Sequence, residues 1–163
     1  MNPSEILKGK SVLVVDDEED VLEAVEEILD MCLVQTARDY DSARQYLISC
    51  TYDFVILDIM GVNGFDLLKL CVERGFPAVM LTAYAMTPEA LEKSMRLGAV
   101  AFLPKEKMVE LKDFLVEVVL GAGQPIWKSL FRKLSAYFDQ RFGPDWREKK
   151  KMFEDFEALV RRK

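Results

Sequence analysis

VLVVDDEED, Val12 to Asp20, joins four apolar residues, three of them β-branched, directly to five consecutive carboxylates. A short β-branched run of this kind is the pattern of a strand buried on both faces. The acidic end has two readings. One is a strand leading into a helix whose first turn carries acids, which the helix dipole favours. The other is a site that needs a cation.

The pattern repeats along the chain. Apolar runs at Leu33–Ala37, Phe54–Leu57, Ala78–Leu81 and Val100–Leu103 join Ser11–Val15 as strand candidates. Between the first two, Val21, Leu22, Val25, Ile28 and Leu29 form one apolar helical face. A second helix is predicted over Ser42–Ser49 with Asp41 as its cap, and a third over Phe65–Glu73, stopping at Gly75. The fourth is the best punctuated: Thr87 caps it, Pro88 suits its first position and Gly98 closes it after Leu97. A fifth runs from Lys107 to Leu120. Five strand–helix repeats within residues 1–122 predict a doubly wound α/β fold, a parallel sheet with helices on both faces. In such a sheet the functional groups gather beyond the carboxyl ends of the strands.

A break at Gly121–Pro125 opens a second part, residues 123–163. Trp127, Leu130, Phe131, Leu134, Tyr137 and Phe138 follow helical spacing. Gly143-Pro144 interrupts, and Trp146, Phe153, Phe156, Leu159 and Val160 continue on one face, which predicts an amphipathic helical hairpin with basic flanks. Its aromatics are expected to pack back on the first part or on each other. The charge changes sign at this boundary: residues 1–120 hold 11 Lys and Arg against 22 Asp and Glu, and residues 121–163 hold 11 against 6. Two helices are too few for a helix-turn-helix reader, so specific DNA binding is not expected.

The chain has 163 residues, half of them hydrophobic, enough for one domain with an appended segment. Its three cysteines, Cys32, Cys50 and Cys71, lie in apolar segments without metal or redox spacing and read as reduced thiols. No apolar run approaches the length of a signal peptide or membrane span, so a soluble, cytoplasmic protein is expected. There is no histidine. A histidine general base, histidine metal ligand and phosphohistidine are excluded together.

Asp16 and Asp17 follow the first strand candidate, Asp58 the third, Thr82 the fourth and Lys105 the fifth. In a parallel sheet these side chains converge on one rim. Three carboxylates that close repel one another, and a hard divalent cation, Mg²⁺, relieves the repulsion. A lysine and a hydroxyl facing such a cluster suit phosphoryl transfer, in which Mg²⁺, ammonium and hydrogen-bond donors meet the charge on the equatorial oxygens. With no other nucleophile evidently placed, the carboxylate of Asp58 is the natural acceptor, giving an aspartyl phosphate.

At this point residues 8 to 122 resemble the receiver domain of two-component response regulators. The resemblance rests on VLVVDDEE, on DFVILDIM followed by GFDLL, on AVMLTAYA and on LGAVAFLPK, in that order and with suitable spacing. It implies a flavodoxin-like sheet in the order 2-1-3-4-5 and a partner histidine kinase or phosphotransfer protein as donor. It implies Asp58 as phosphoacceptor, Asp17 as direct Mg²⁺ ligand, Asp16 as a more water-mediated one, and the backbone carbonyl of Met60 as a further ligand. Lys105 and Thr82 would hold the phosphoryl oxygens. Phe102 occupies the position of a switch aromatic that follows the Thr82 hydroxyl, although an aromatic in a central strand is equally a core residue. Tyr84 would modulate water access or stand as a simple exposed aromatic. Glu18, Glu19 and Asp20 read as solvated first-turn acids.

Two departures from the family pattern stand out. DIMGVNGF reaches Gly64 two residues early and has Gly61 where a proline is usual, so the loop beside the metal is expected to be short. Pro104 precedes Lys105 and Glu106 follows it, where receivers commonly place a proline in a cis bond after the lysine. Either the Lys105–Glu106 bond is a costly cis bond or the turn is rebuilt. The expected function is phosphoryl-controlled signalling through protein contacts without a DNA-binding output domain, with an unknown output protein and a homodimer through the fourth and fifth helices as a further expectation. No enzyme activity is expected beyond self-catalysed phosphotransfer and dephosphorylation. The alternatives are a degenerate receiver acting as a scaffold and an aspartyl-nucleophile phosphatase. The second needs an aspartate two residues after the nucleophile, where Met60 stands.

Overall fold

The computed structural model describes residues 2–83, 87–143, 146 and 151. Five parallel strands, β1 Ser11–Val15, β2 Leu33–Ala37, β3 Phe54–Leu57, β4 Ala78–Thr82 and β5 Ala101–Pro104, form one sheet in the order β2-β1-β3-β4-β5. The doubly wound, flavodoxin-like fold expected from the sequence is present. Every residue of β3, β4 and β5 is buried, as continuous apolar runs require, whereas edge strand β2, with Gln35 and Thr36, is largely half-exposed.

The helices are α1 Pro3–Leu7, α2 Glu19–Ile28, α3 Tyr40–Ser49, α4 Gly64–Arg74, α5 Pro88–Arg96, α6 Leu111–Leu120 and α7 Trp127–Phe142. The short α1 was not anticipated. Asn2 caps it, accepting a hydrogen bond from the Glu5 amide at 2.9 Å, and the fully buried Leu7 anchors it beside α6. Helix α3 is capped by Asp39 rather than Asp41: the Ser42 amide donates to the Asp39 carboxylate at 2.8 Å. In the sequence D-Y-D-S only Asp39 lies three residues before that amide, which is the reach of a capping side chain. Helix α5 has the predicted Thr87 cap, with the Ala90 amide donating to Thr87 Oγ1 at 3.0 Å.

The chain after β5 also differs from the expected single helix. Lys105–Glu110 forms a tight 3₁₀ turn ahead of α6. Among the described residues no peptide bond is cis, so the turn after Lys105 is rebuilt rather than held by a cis Lys105–Glu106 bond.

Helix α7 packs against β5 and α6. The Ile126 amide donates to the Val100 carbonyl at 2.9 Å, which fixes its start. Lys133 pairs with Glu117 of α6 and lies over the ring of Phe114. Trp127, Leu130, Phe131, Leu134 and Phe138 are buried, and the rings of Phe131, Phe138 and Phe142 cluster with Trp146. The expected second helix of the hairpin lies outside the described residues apart from Trp146 and Lys151, as does Tyr84. Among the described residues no helix is long and apolar enough to cross a membrane.

Candidate functional site

The sheet itself sets the acidic rim. Its ladder runs one residue past the strand ends: the Asp16 amide donates to the Ala37 carbonyl at 3.1 Å and the Asp58 amide to the Val15 carbonyl at 3.0 Å. Both aspartates therefore start from rigid, neighbouring backbone. Asp16 and Asp58 are buried, with Asp17 exposed beside them, and one carboxylate oxygen from each of the three lies within 4.8 Å of the others.

Local hydrogen bonds then fix the rotamers. Asp16 accepts from the Glu18 amide at 2.8 Å, turning the chain into α2. Asp58 accepts from its neighbour's amide, Ile59, at 2.8 Å. Lys105, carried to the rim by β5, bridges the two, its Nζ 2.8 Å from Asp16 and 3.2 Å from Asp58. Glu18 Oε2 stands 3.5 Å from the same ammonium. The sequence placed Glu18 among the solvated acids, yet it reaches the site. Burial, together with the Asp58 charge, holds the Asp16 carboxyl above its ordinary value against the opposing pull of Lys105. Burial works to lower Lys105, but Asp16 and Asp58 outweigh it and keep the ammonium charged.

Thr82 ends β4, one register step beyond the Leu81–Leu103 pair and opposite Pro104. It is completely buried, and its hydroxyl oxygen has no hydrogen-bond partner among the described residues. A buried hydroxyl left without a partner costs free energy and is uncommon in folded proteins. Its position at the rim gives it a use once a further acceptor arrives. Phe102 is fully buried on β5, in register with Met80. Met60, two residues past Asp58, exposes its side chain.

The short loop from Asp58 to α4 is built on glycine. Gly61 adopts a positive φ of 84°, and a Cβ there would lie 2.4 Å from an Asp17 carboxylate oxygen. Asn63 is also left-handed, at φ 53°, and its side chain donates to Asp66 at 2.8 Å. The sequence signalled the glycine but not the left-handed asparagine.

A flavodoxin-like sheet with three aspartates and a lysine gathered at its carboxyl rim defines a class of signalling domain, and similarity to known proteins agrees. Residues 12–115 match the response regulator receiver domain family. The chain is 34% identical over 119 residues to the transcriptional regulatory protein DltR of Streptococcus agalactiae, covering 69% of this chain and 52% of that protein. The receiver domain of NtrX from Brucella abortus superposes with a TM-score of 0.59 at 30% identity, covering 68% of this chain and 98% of that one. A CheY-like receiver domain protein from Methanospirillum hungatei has the same fold, with a TM-score of 0.61 at 22% identity, covering 71% of this chain and 99% of that one. The chain belongs to the response regulator receiver domain family. It spans about half the length of the curated relatives it matches.

Proposed function

We propose that this chain accepts a phosphoryl group on Asp58 from a partner histidine kinase or phosphotransfer protein, with Mg²⁺, and signals through protein–protein contacts. The observation that carries the proposal is Lys105 held between two buried aspartates, with an exposed third within reach of the same point.

The donor set fits the metal. Three carboxylate oxygens at mutual distances within 4.8 Å are hard ligands whose charges repel, and a small divalent cation matches both properties. Asp17, Asp58 and Asp16 would hold it, with the Met60 carbonyl in support. Bound there, Mg²⁺ would neutralise the carboxylates and a phosphoryl oxygen together. The chain's own residues do the rest. The Ile59 amide and Lys105 fix the Asp58 carboxylate, so it is already aimed when a donor docks. A carboxylate oxygen bonds to phosphorus as the bond from phosphorus to the donor's nitrogen breaks, and the nitrogen keeps the electron pair. Lys105 stays within reach of the new oxygens. Thr82, its hydroxyl without a partner, gains one by donating to them.

That movement supplies the signal. Drawing the Thr82 hydroxyl toward the phosphoryl group disturbs the end of β4, and Phe102 on β5 would follow, rebalancing two packings of the α5–β5–α6 side. Met60 offers no acid or base two residues after Asp58, so a phosphatase reading finds no support there.

The test is labelling with acetyl phosphate and Mg²⁺ and capture of beryllofluoride. Wild type should take up label, and Asp58→Asn should not. Label that survives Asp58→Asn would place the acceptor elsewhere.

A further inference from the structure

A cavity of about 10 Å³, the size of a single water, lies where the carboxyl ends of β4 and β5 meet helix α7. From the receiver side it is lined by Thr82, Lys105 and Glu106, and from α7 by Tyr137 and Arg141. Two of these residues are those that would hold the phosphoryl group, and the unpartnered Thr82 hydroxyl is among them. Tyr137 lies against the turn that follows β5. It lines the cavity together with Glu106, the residue directly after Lys105, and its ring lies 5.6 Å from the Lys107 ammonium. Its placement is therefore tied to the turn that delivers Lys105 to the site.

We propose that α7 is a wall of the acceptor site, and that Tyr137 and Arg141 set the lifetime of the phosphoryl group by limiting the approach of water beside Thr82 and Lys105. This rests on Asp58 being the phosphoacceptor. Loss of the group requires a water oxygen to bond to phosphorus while the bond from phosphorus to the Asp58 oxygen breaks. The carboxylate keeps the electron pair, and the water's atoms leave as part of inorganic phosphate and one proton to solvent. Donor phosphorus and attacking water must both reach the rim, and α7 closes the β4–β5 side of it to little more than one water. Tyr137 and Arg141 act here as positioning residues. They fill space and restrict solvent around Thr82 and Lys105 without touching the reacting atoms.

The experiment uses the full chain, labelled with radioactive acetyl phosphate in Mg²⁺, stripped of donor and followed for loss of label. Tyr137→Ala and Arg141→Ala should label to the wild-type extent and lose phosphate about fivefold faster, whereas Tyr137→Phe, which keeps the ring, should stay within about twofold of wild type. Gln140→Ala, on the exposed side of the same helix, should leave the lifetime unchanged. Arg141 is exposed, so its removal costs little packing and carries the test even if Tyr137→Ala fails to fold. Normal labelling with unchanged lifetimes in both alanine variants would overturn the wall while leaving Asp58 as acceptor. Failure of wild type to label, or label persisting in Asp58→Asn, would instead remove the acceptor on which the wall depends.

Discussion

Gly64 packs directly on the backbone of Asp58: a Cβ at position 64 would lie 1.9 Å from the Asp58 carbonyl oxygen. The Gly64 amide also donates to the Ile59 carbonyl at 3.0 Å, which closes the short loop tightly under the acceptor. Backbone cannot yield as a flexible side chain can. Gly64→Ala should therefore cost about 2 kcal/mol and displace Asp58, lowering both the urea midpoint and the extent of labelling. An alanine variant with wild-type stability would show that the loop has slack.

Lys105 is the only cation among the described residues paired with the buried aspartates, and its side chain is 9% exposed. Lys105→Met keeps most of its volume and removes the charge, leaving Asp16 and Asp58 facing each other. Losing one partner of a buried pair costs about 3 kcal/mol. Millimolar Mg²⁺ should return much of that loss, because the cation replaces the missing charge. Denaturation in chelator and in Mg²⁺ measures both numbers. Equal destabilisation under the two conditions would mean that the metal does not sit among these carboxylates.

Much of this site was legible because the code for it is local. Each of Asp16, Asp58, Thr82 and Lys105 lies at or just past the end of an apolar run, and a parallel sheet brings such ends together whatever the intervening helices do. What stayed hidden depends on chain geometry or on distant packing. Glu18 looked like its solvated neighbours Glu19 and Asp20 until the Asp16 turn brought it toward Lys105. The left-handed Asn63 lies in a loop shorter than the family pattern, for which no spacing rule applied. The 3₁₀ turn at Lys105–Glu110 has no glycine or proline inside it to mark a boundary. The apolar stripe of α7 predicted a helix with a buried face, but a stripe does not say which surface it will cover. Tyr137 and Arg141 reached the rim only through that choice.

Asp16 is held above its ordinary carboxyl value chiefly by burial, with the Asp58 charge adding to it. A raised carboxyl favours the neutral form in the fold. Its stabilising contribution is present below the ordinary value of 3.8 and lost as pH rises through the folded value. At neutral pH the charged Asp16 therefore weakens the metal-free fold. Asp16→Asn should melt higher than wild type in chelator, by about 2 to 4 °C for each kcal/mol recovered, and should gain less from added Mg²⁺. A lower melting temperature in chelator would mean that the Lys105 pairing outweighs the burial.

Glu117 shows the opposite sign, away from the acidic rim. Burial pushes its carboxyl up, but the hydrogen bond and charge of Lys133 on α7 outweigh it and hold the group below the ordinary value of 4.5. A lowered carboxyl stabilises the fold above its unfolded value, and that contribution is lost as pH falls through the folded one. The contact between α6 and α7 should therefore be at full strength near neutrality and fade below about pH 4.5. The side chains of Glu117 and Lys133 are 28% and 41% exposed, so solvent screens the pair. Glu117→Gln should accordingly cost only about 0.5 to 1 kcal/mol near neutral pH, and its urea midpoint should converge on wild type as the pH is lowered toward about 3. A gap that stays constant across that range would assign the loss to packing rather than to the charge holding α7 in place.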